Sequence, residues 1–209
     1  MNQTAIIETL NYFSSSYELE LVYKKDGGHE HSFLYSKDHL RRYAYLLNWN
    51  TIENKVLLTK NNFHNNNFPF KINNLFKENI LWIMLNPGLG EAENRIRRTF
   101  ERCKNWSMGW GFGGMVFVNL CSIRTRNAKC LTPFLPDTDP LNNSIIESLI
   151  KLEMKAIVAW GSHGAKCKDF PSLDSIEAYC FGYTRTNNQP RHPLYVSNNT
   201  TLQIWKSAY

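Results

Sequence analysis

The 209-residue sequence has few cysteines and no long apolar run, and both features restrict the kind of protein it encodes. Its five cysteines include no Cys-X-X-Cys pair, which argues against a zinc site or an iron–sulfur cluster and favours buried free thiols. No apolar stretch approaches the roughly 18 residues that a membrane span needs, and no basic segment precedes an apolar core at the N-terminus. We therefore expect a cytoplasmic protein with no metal or other cofactor, no membrane association and no obligate protein partner.

Positive charge is in excess, with 24 lysines and arginines against 18 aspartates and glutamates, and the sequence pI is about 9.0. A clustered excess of this kind indicates a polyanionic partner such as nucleic acid or a nucleotide phosphate. The 13% of aromatic residues offers surfaces on which bases stack. The alternative is a solvated helix face. The clusters are Arg41-Arg42, then Arg95, Arg97, Arg98, Arg102 and Lys104, then Arg124, Arg126 and Lys129.

We expect a single domain over residues 1–209, in which residues 1–75 form an N-terminal β-rich arm that ends in an asparagine-rich loop. Alternating and aromatic-rich segments predict strands that pair as an antiparallel piece. The predicted elements are a short helix over 2–13, a strand over 18–24, a turn at 26–28, strands over 33–35 and 42–49, and a loop over 61–74.

From residue 76 to 209 the pattern changes to strands that alternate with helices. This order predicts an α/β fold with a three-layer α/β/α arrangement around a central, mainly parallel four-stranded sheet. The predicted strands are 80–85, 115–120, 156–160 and 176–181. The predicted helices are 91–106, 140–153 with Asp139 as its N-cap, and a short one over 163–169.

Polar residues follow three of these apolar runs directly. Asn86 begins an Asn-Pro-Gly turn after the first strand, Asn119 ends the second, and Ser162-His163 follows the third. Because the carboxyl ends of parallel strands meet at one edge of a sheet, where α/β folds bind ligands, we expect these side chains to converge in one site. The alternative for Asn86 is a side chain that only bonds its own turn.

The same segments carry motifs that resemble a bacterial and phage family of uncharacterised proteins. The likeness extends over about residues 40–205 and depends on five blocks in the same order and at similar spacing. These blocks are Leu85–Gly88, Ile96–Arg98, Val118–Leu120, Ala159–Gly161 and Pro190–Tyr195.

More distantly, the blocks resemble the uracil-DNA glycosylase superfamily. Leu85–Gly88 is similar to a motif whose asparagine positions the attacking water, and 116–123 is similar to the strand whose terminal asparagine reads the base edge. Residues 158–166 are similar to a Leu-Trp-Gly strand and the helix start after it. His192-Pro193-Leu194 is similar to a motif whose histidine stabilises charge on the leaving base. The resemblance implies the corresponding fold.

These residues favour an N-glycosidase-like hydrolase that acts on a base in nucleic acid or in a nucleotide. Asn86 and His192 are the candidate catalytic residues. As a neutral amide, Asn86 can orient a water without taking a proton, so the expected rate is modest. Asn119 offers the paired donor and acceptor that read a base edge. His192 or His163 is expected to donate toward the leaving base, although each histidine has a purely structural alternative.

Other residues are expected to contact the substrate or its phosphates. Trp110 and Phe112, in a glycine-rich turn, are candidates for stacking on a flipped base, with a core role as the alternative. Arg95, Arg98 and Arg102 recur on one helix face and, with Arg124 and Arg126, are expected to hold phosphates, unless Arg98 pairs internally. The remaining candidates for substrate contact are Pro87, Gly88, Gly161, Ser162 and Arg191.

Two other functions are compatible with the sequence. One is a non-catalytic nucleic-acid or nucleotide binder that has the same pocket without the chemistry. The other is an enzyme that uses the crevice for a small phosphorylated substrate, which predicts tight mononucleotide or sugar-phosphate binding without oligonucleotide affinity. The sequence leaves open which base is bound and whether the polymer is DNA or RNA.

Overall fold

The computed structural model describes residues 3–49, 77–89, 98–131, 133, 139–167, 173 and 175–206. The predicted loop at 61–74, and the part of the predicted 91–106 helix before residue 98, lie outside these ranges. The α-helices are α1 (Gln3–Ser16), α2 (Arg98–Gly109) and α3 (Pro140–Ile150). The strands are β1 (Glu20–Asp26), β2 (His29–Tyr35), β3 (Arg42–Trp49), β4 (Asn79–Met84), β5 (Gly114–Asn119), β6 (Ala156–Val158), β7 (Ala178–Cys180) and β8 (Gln203–Ile204).

All eight strands belong to one mixed sheet with the order β1-β2-β3-β5-β4-β6-β7-β8. Strands β5, β4, β6 and β7 are parallel neighbours, whereas β1–β3 and β8 pair antiparallel. The expectation of a four-stranded sheet with a separate N-terminal piece is therefore corrected. The reason is β3, which is buried along its whole length and pairs with both β2 and β5, so that the N-terminal strands continue the central sheet.

Helices pack on the two faces of this sheet. On one face, Ile6, Leu10 and Phe13 of α1 join Ile145 and Leu149 of α3 in a single buried cluster. On the other face, α2 packs into a second cluster that is rich in aromatic side chains. In that cluster the Trp82 indole N–H donates to Ser107 Oγ at 3.0 Å, so the polar atom of a fully buried tryptophan has a partner.

The join between β3 and the parallel strands leaves no room for a side chain at Gly114. A Cβ atom there would lie 2.0 Å from Asn79 Oδ1 and 2.3 Å from Asn48 Oδ1, two buried carboxamides on the neighbouring strands. Because the backbone oxygen of Leu47 would also be only 2.7 Å away, glycine is required at this position.

Several local predictions are confirmed. The β1–β2 hairpin turns through Gly27 and Gly28, which both have positive φ, as two-residue hairpin loops require. Asp139 caps α3 by accepting the backbone N–H of Asn142 at 3.1 Å. Helix α1 covers the predicted segment, and a 3-10 helix (Ser162–Lys166) replaces the short helix expected over 163–169. No described helix is both long and apolar enough to cross a membrane.

Candidate active site

Three strand ends meet at one edge of the sheet, as their parallel directions require. Asn86 follows β4, Asn119 ends β5, and Gly161 lies three residues after β6; all three line one groove of about 1270 Å³. The pairing of β4 and β5 continues past both strands, since Cys121 N donates to Leu85 O at 2.9 Å. The groove therefore begins on a backbone framework that is hydrogen-bonded up to the Asn-Pro-Gly turn.

The Asn86 carboxamide is held in one orientation by two backbone carbonyls. Its Nδ2 donates to Pro87 O at 3.0 Å and to Thr125 O at 3.1 Å. Both N–H groups are used in this way, which identifies Oδ1 as the acceptor that remains for a ligand or a water. Asn86 does bond its own turn, as the structural alternative proposed, and it also lines the groove.

Asn119 is 3% exposed and lines the groove at the end of β5. Its backbone carbonyl accepts the Asn142 Nδ2–H at 2.8 Å, from the first turn of α3. Asn142 is itself fully buried, so this bond fixes the end of the strand from behind. The Asn119 carboxamide can therefore present one donor and one acceptor from a rigid position.

Gly161 allows the His192 segment to approach the sheet closely. Its φ of +77° lies in the region that favours glycine, and an added Cβ would be 3.2 Å from His192 Cβ. Gly161 N also donates to Pro190 O at 2.8 Å. The Ala-Trp-Gly and Pro-Arg-His-Pro motifs, about thirty residues apart in sequence, are thus in contact.

His192 lines the same groove as Asn86 and Asn119. Its Nδ1 accepts the backbone N–H of Leu194 at 3.3 Å, at the start of a 3-10 turn over Pro193–Tyr195. Burial lowers the pKa of His192 from 6.5 to about 4. At neutral pH the ring is therefore neutral with its proton on Nε2, which makes it a hydrogen-bond donor.

Other predicted site residues also line the groove. We call the part of the groove around Asn86, Asn119 and His192 its polar end; it is also lined by Gly88, Ser162, His163 and Arg191. The Ser162 carbonyl there accepts the Asn187 side-chain amide N–H at 2.7 Å. Pro87 is buried and does not line the groove, but its carbonyl accepts from both Asn86 and Thr125. Its contribution is to hold the turn.

The groove is strongly cationic. The described residues that line it include six lysines or arginines and one carboxylate, Asp26. Arg124 and Arg126, the predicted phosphate contacts, are among them. Arg124 lies over the Tyr35 ring, 4.9 Å from its centroid, and donates to His39 O at 2.6 Å, so its position is fixed. The other cations are Lys24, Arg42, Lys129 and Arg191.

The described members of the helical arginine stripe, Arg98 and Arg102, do not line this groove. Arg102 donates to Val196 O at 2.5 Å and to Asn198 Oδ1 at 2.7 Å, and it covers the Trp106 ring at 4.8 Å. Its guanidinium therefore fastens the C-terminal segment to α2. Arg98 is exposed and absent from the lining, and Arg95 lies outside the described residues.

Trp110 and Phe112, the candidates for stacking on a base, belong to the core instead. Trp110 is 8% exposed and lies in stacked contact with Trp82 at 6.0 Å, and Phe112 is fully buried. The glycine-rich turn folds back onto α2, because Phe112 N donates to Ser107 O at 3.0 Å. Neither side chain lines the groove.

The sequence predicted none of the residues that line the other end of the groove, apart from those near the strand ends. That end lies over β1–β3 and consists mainly of aromatic side chains, which we call the aromatic end. The signal that could have found it is the alternation of β2, which sends every second side chain to one face. The aromatic end comprises His31, Phe33, Tyr35, Tyr45, Phe100 and Phe117, with Val22, Lys24 and Arg42 beside them.

In the part of the chain that the structure describes, no three His, Cys, Asp or Glu side chains are grouped so that they could hold a metal ion. The cysteines are free, with Cys103, Cys121 and Cys180 buried and Cys130 exposed. Burial raises the pKa of Cys103, Cys121 and Cys180, and it raises that of Cys167 to about 12, so these thiols are poor nucleophiles at neutral pH.

Comparisons with known proteins identify one family. No curated protein and no solved structure matches the chain. A family model described as "Protein of unknown function (DUF1643)" matches residues 71–194, a span that covers more than half of the chain and contains Asn86, Asn119, Gly161 and His192. The chain therefore belongs to the DUF1643 family.

Proposed function

We propose that this protein is an N-glycosidase-like hydrolase that acts on a base in nucleic acid or in a nucleotide. The observation that carries the proposal is that Asn86, Asn119 and His192, from three separate segments, line one cationic groove. Parallel strands at the centre of the sheet and helices on both of its faces support a three-layer arrangement like that of the uracil-DNA glycosylases.

The leaving base is the first requirement of this chemistry. As the C1′–N bond breaks, its electron pair moves to the base, and a base carbonyl oxygen gains negative charge. His192 supports this step as a neutral Nε2–H donor, because its Nδ1 is occupied by Leu194 N–H. Since the pKa of His192 is about 4, the imidazole donates a hydrogen bond without transferring its proton at neutral pH.

The water is the second requirement. Asn86 Oδ1 accepts one hydrogen of the water, whose oxygen then bonds to C1′ of the oxocarbenium-like sugar. The second proton is released to solvent or to the departed base. A carboxamide orients the water but does not remove its proton, so the sugar cation must form before the water attacks. Asn119 reads the base edge with one donor and one acceptor.

A non-catalytic nucleic-acid or nucleotide binder is the second candidate, and one observation favours it. Asp26 is the one carboxylate among the described groove-lining residues, and it lies on β1 at the aromatic end. The polar end therefore has no carboxylate among those residues to act as a general base. Cationic side chains and a donor–acceptor pair suffice for binding alone.

Release of free base from a panel of modified and mismatched oligonucleotides tests the hydrolase. We expect Asn86→Ala to lower release by about 100-fold or more, as loss of a water-orienting group does, with less than about a threefold change in oligonucleotide affinity. Asn105→Ala, the same substitution at an exposed position of α2 outside the groove, is the matched surface control.

The outcomes separate the two candidates. Release that depends on Asn86 supports the hydrolase. If no panel member loses a base while oligonucleotides still bind, the hydrolase is wrong and the binder replaces it. If Asn86→Ala releases base at the rate of the unmodified chain, the assigned role of this carboxamide is wrong.

A further inference from the structure

The groove is longer than the polar end requires. Its volume of about 1270 Å³ exceeds the roughly 300–1000 Å³ of ordinary small-molecule pockets. A single nucleotide bound at Asn86, Asn119 and His192 would leave the aromatic end over β1–β3 unfilled. The chemistry of that end indicates what else binds there.

The rings of the aromatic end are stacked on one another, which leaves their edges rather than their faces for the groove. Phe33 and Tyr45 lie 4.3 Å apart with 20° between their planes, and His31 is stacked beside Tyr45 at 12°. Rings that stand on a sheet and stack on one another are covered on their faces, and Phe33 and Tyr45 are each only 6% exposed. Ring edges carry partial positive charge and fit the π face of a planar group laid across them.

Cationic side chains line the groove from the polar end to the aromatic end. Arg191 lies beside His192, Arg124 covers Tyr35, and Arg42 covers Tyr45 with 5.2 Å between the guanidinium carbon and the ring centroid. Lys24 lies beyond them on β1, where its Nζ is 3.5 Å from Asp26 Oδ2. A row of charges spread over the whole groove suits several linked phosphates better than one.

We propose that the aromatic end is a second subsite, which binds the neighbouring nucleotide of a single-stranded oligonucleotide. The base of that nucleotide lies across the ring edges of His31, Phe33 and Tyr45, and its backbone phosphates lie along Arg124, Arg42 and Lys24. This inference rests on the proposed function, because it extends the polar end where the reacting base is held. The substrate is then a polymer strand rather than a free mononucleotide.

Two adjacent lysines provide a matched pair of variants. Lys24 lines the groove, whereas Lys25 points to the opposite face of β1 and does not line it. Each is exposed and paired with one carboxylate, Lys24 with Asp26 and Lys25 with Glu30 at 2.9 Å. Lys24→Glu and Lys25→Glu therefore make the same change in net charge and each break one exposed ion pair.

The experiment measures the affinity of the full chain for single-stranded oligothymidylate and oligouridylate of about five nucleotides, and for the corresponding mononucleotides. We expect the oligonucleotides to bind at least about tenfold more tightly than the mononucleotides at low salt. Lys24→Glu should weaken oligonucleotide binding by about fivefold or more, with less than about a twofold effect of Lys25→Glu and no change in mononucleotide affinity for either variant.

Equal effects of the two variants, or equal affinity for mononucleotide and oligonucleotide, would overturn the second subsite. Inorganic polyphosphate of the same charge is the remaining probe; if it competes as well as the oligonucleotide, the ring edges do not bind a base. Base release is scored separately. If no base is released but the Lys24 effect is present, the hydrolase is wrong and the subsite is correct.

Discussion

The two ends of the groove are built in different ways. At the polar end, each functional side chain follows a buried parallel strand and is held by backbone hydrogen bonds, as Asn86 is by the Pro87 and Thr125 carbonyls. At the aromatic end, side chains from antiparallel strands are held by stacking on one another, as Phe33 is on Tyr45. One end therefore depends on individual polar contacts, and the other on a shared packed layer.

This difference predicts how each end responds to change. A small displacement of the backbone should abolish base release at the polar end, because each of its polar side chains is held in a single orientation. The aromatic end should lose affinity gradually, since several rings share the contact. Variants that act on one end alone are the direct way to examine the contrast.

Among the variants that do not remove a functional side chain of the polar end, Gly161→Ala should have the largest effect, and on the polar end only. The added Cβ would lie 3.2 Å from His192 Cβ at a residue with φ of +77°, so the His192 segment must move. We expect base release to fall by at least about tenfold, since the His192 segment must shift by a few tenths of an ångström and a misplacement of about 1 Å costs about 100-fold. Oligonucleotide affinity should change by less than about threefold, because the aromatic end is untouched.

Gly27→Ala is the matched control for this variant. Gly27 also has positive φ, at +53°, but no atom lies within 4 Å of its added Cβ. Gly27→Ala should lower the free energy of unfolding by about 1–2 kcal/mol through backbone strain. Gly161→Ala should lower it by at least as much, because φ of +77° with ψ of −176° is a conformation that only glycine adopts readily. If base release falls equally in the two, strain rather than the position of His192 explains the loss, and the assigned contact is wrong.

The aromatic end could not be deduced from the sequence because it depends on one long-range pairing. Polar residues after apolar runs are local signals, and they are sufficient to assign Asn86, Asn119 and Ser162 to one edge of the sheet. The pairing of β3 with β5 has no local signal, yet it carries Tyr45 to a position opposite Phe117. Without it, the β1–β3 rings remain a separate piece of unknown position.

Two predictions about individual side chains show a related limit. The glycine-rich turn allows many directions for Trp110 and Phe112, and the one adopted is decided by packing under α2. The spacing of the arginines placed them on one helix face, but it could not show that the C-terminal segment would bind Arg102 through the Val196 carbonyl. In both cases the partner is distant in sequence.

The acid sensitivity of the polar end should be intermediate in size. The pKa of His192 is lowered to about 4 from 6.5, so the neutral ring is the form that the folded protein favours. The associated stability is fully present above pH 6.5 and is lost as the pH falls through about 4, where Nδ1 gains a proton and can no longer accept from Leu194 N–H. Base release should follow the neutral fraction of the folded ring, with a loss of about twofold at pH 4 and about tenfold at pH 3.

His192→Gln isolates this titration. The glutamine keeps a neutral donor but cannot titrate, so its base release should be lower at neutral pH and should lack the acid limb. An NMR titration of the His192 ring protons checks the pKa independently of activity. A ring that titrates near its ordinary value of 6.5 would contradict the burial of this histidine. An identical acid limb in His192→Gln would show that another group causes the loss of activity.

The smallest effect on the groove is expected from Arg102→Gln, and that makes it informative. If the helical arginines held phosphates, loss of this charge would weaken oligonucleotide binding about fivefold and reduce the salt dependence by about one contact. Its guanidinium instead bonds Val196 O and Asn198 Oδ1, so the variant should lower the free energy of unfolding by about 1 kcal/mol and change affinity by less than about twofold. Arg126→Gln, within the groove, should show the opposite pattern. If instead Arg102→Gln weakens oligonucleotide binding and Arg126→Gln does not, the phosphates bind on the face of α2 rather than in the groove. The two ends of the groove would then no longer be parts of one binding surface.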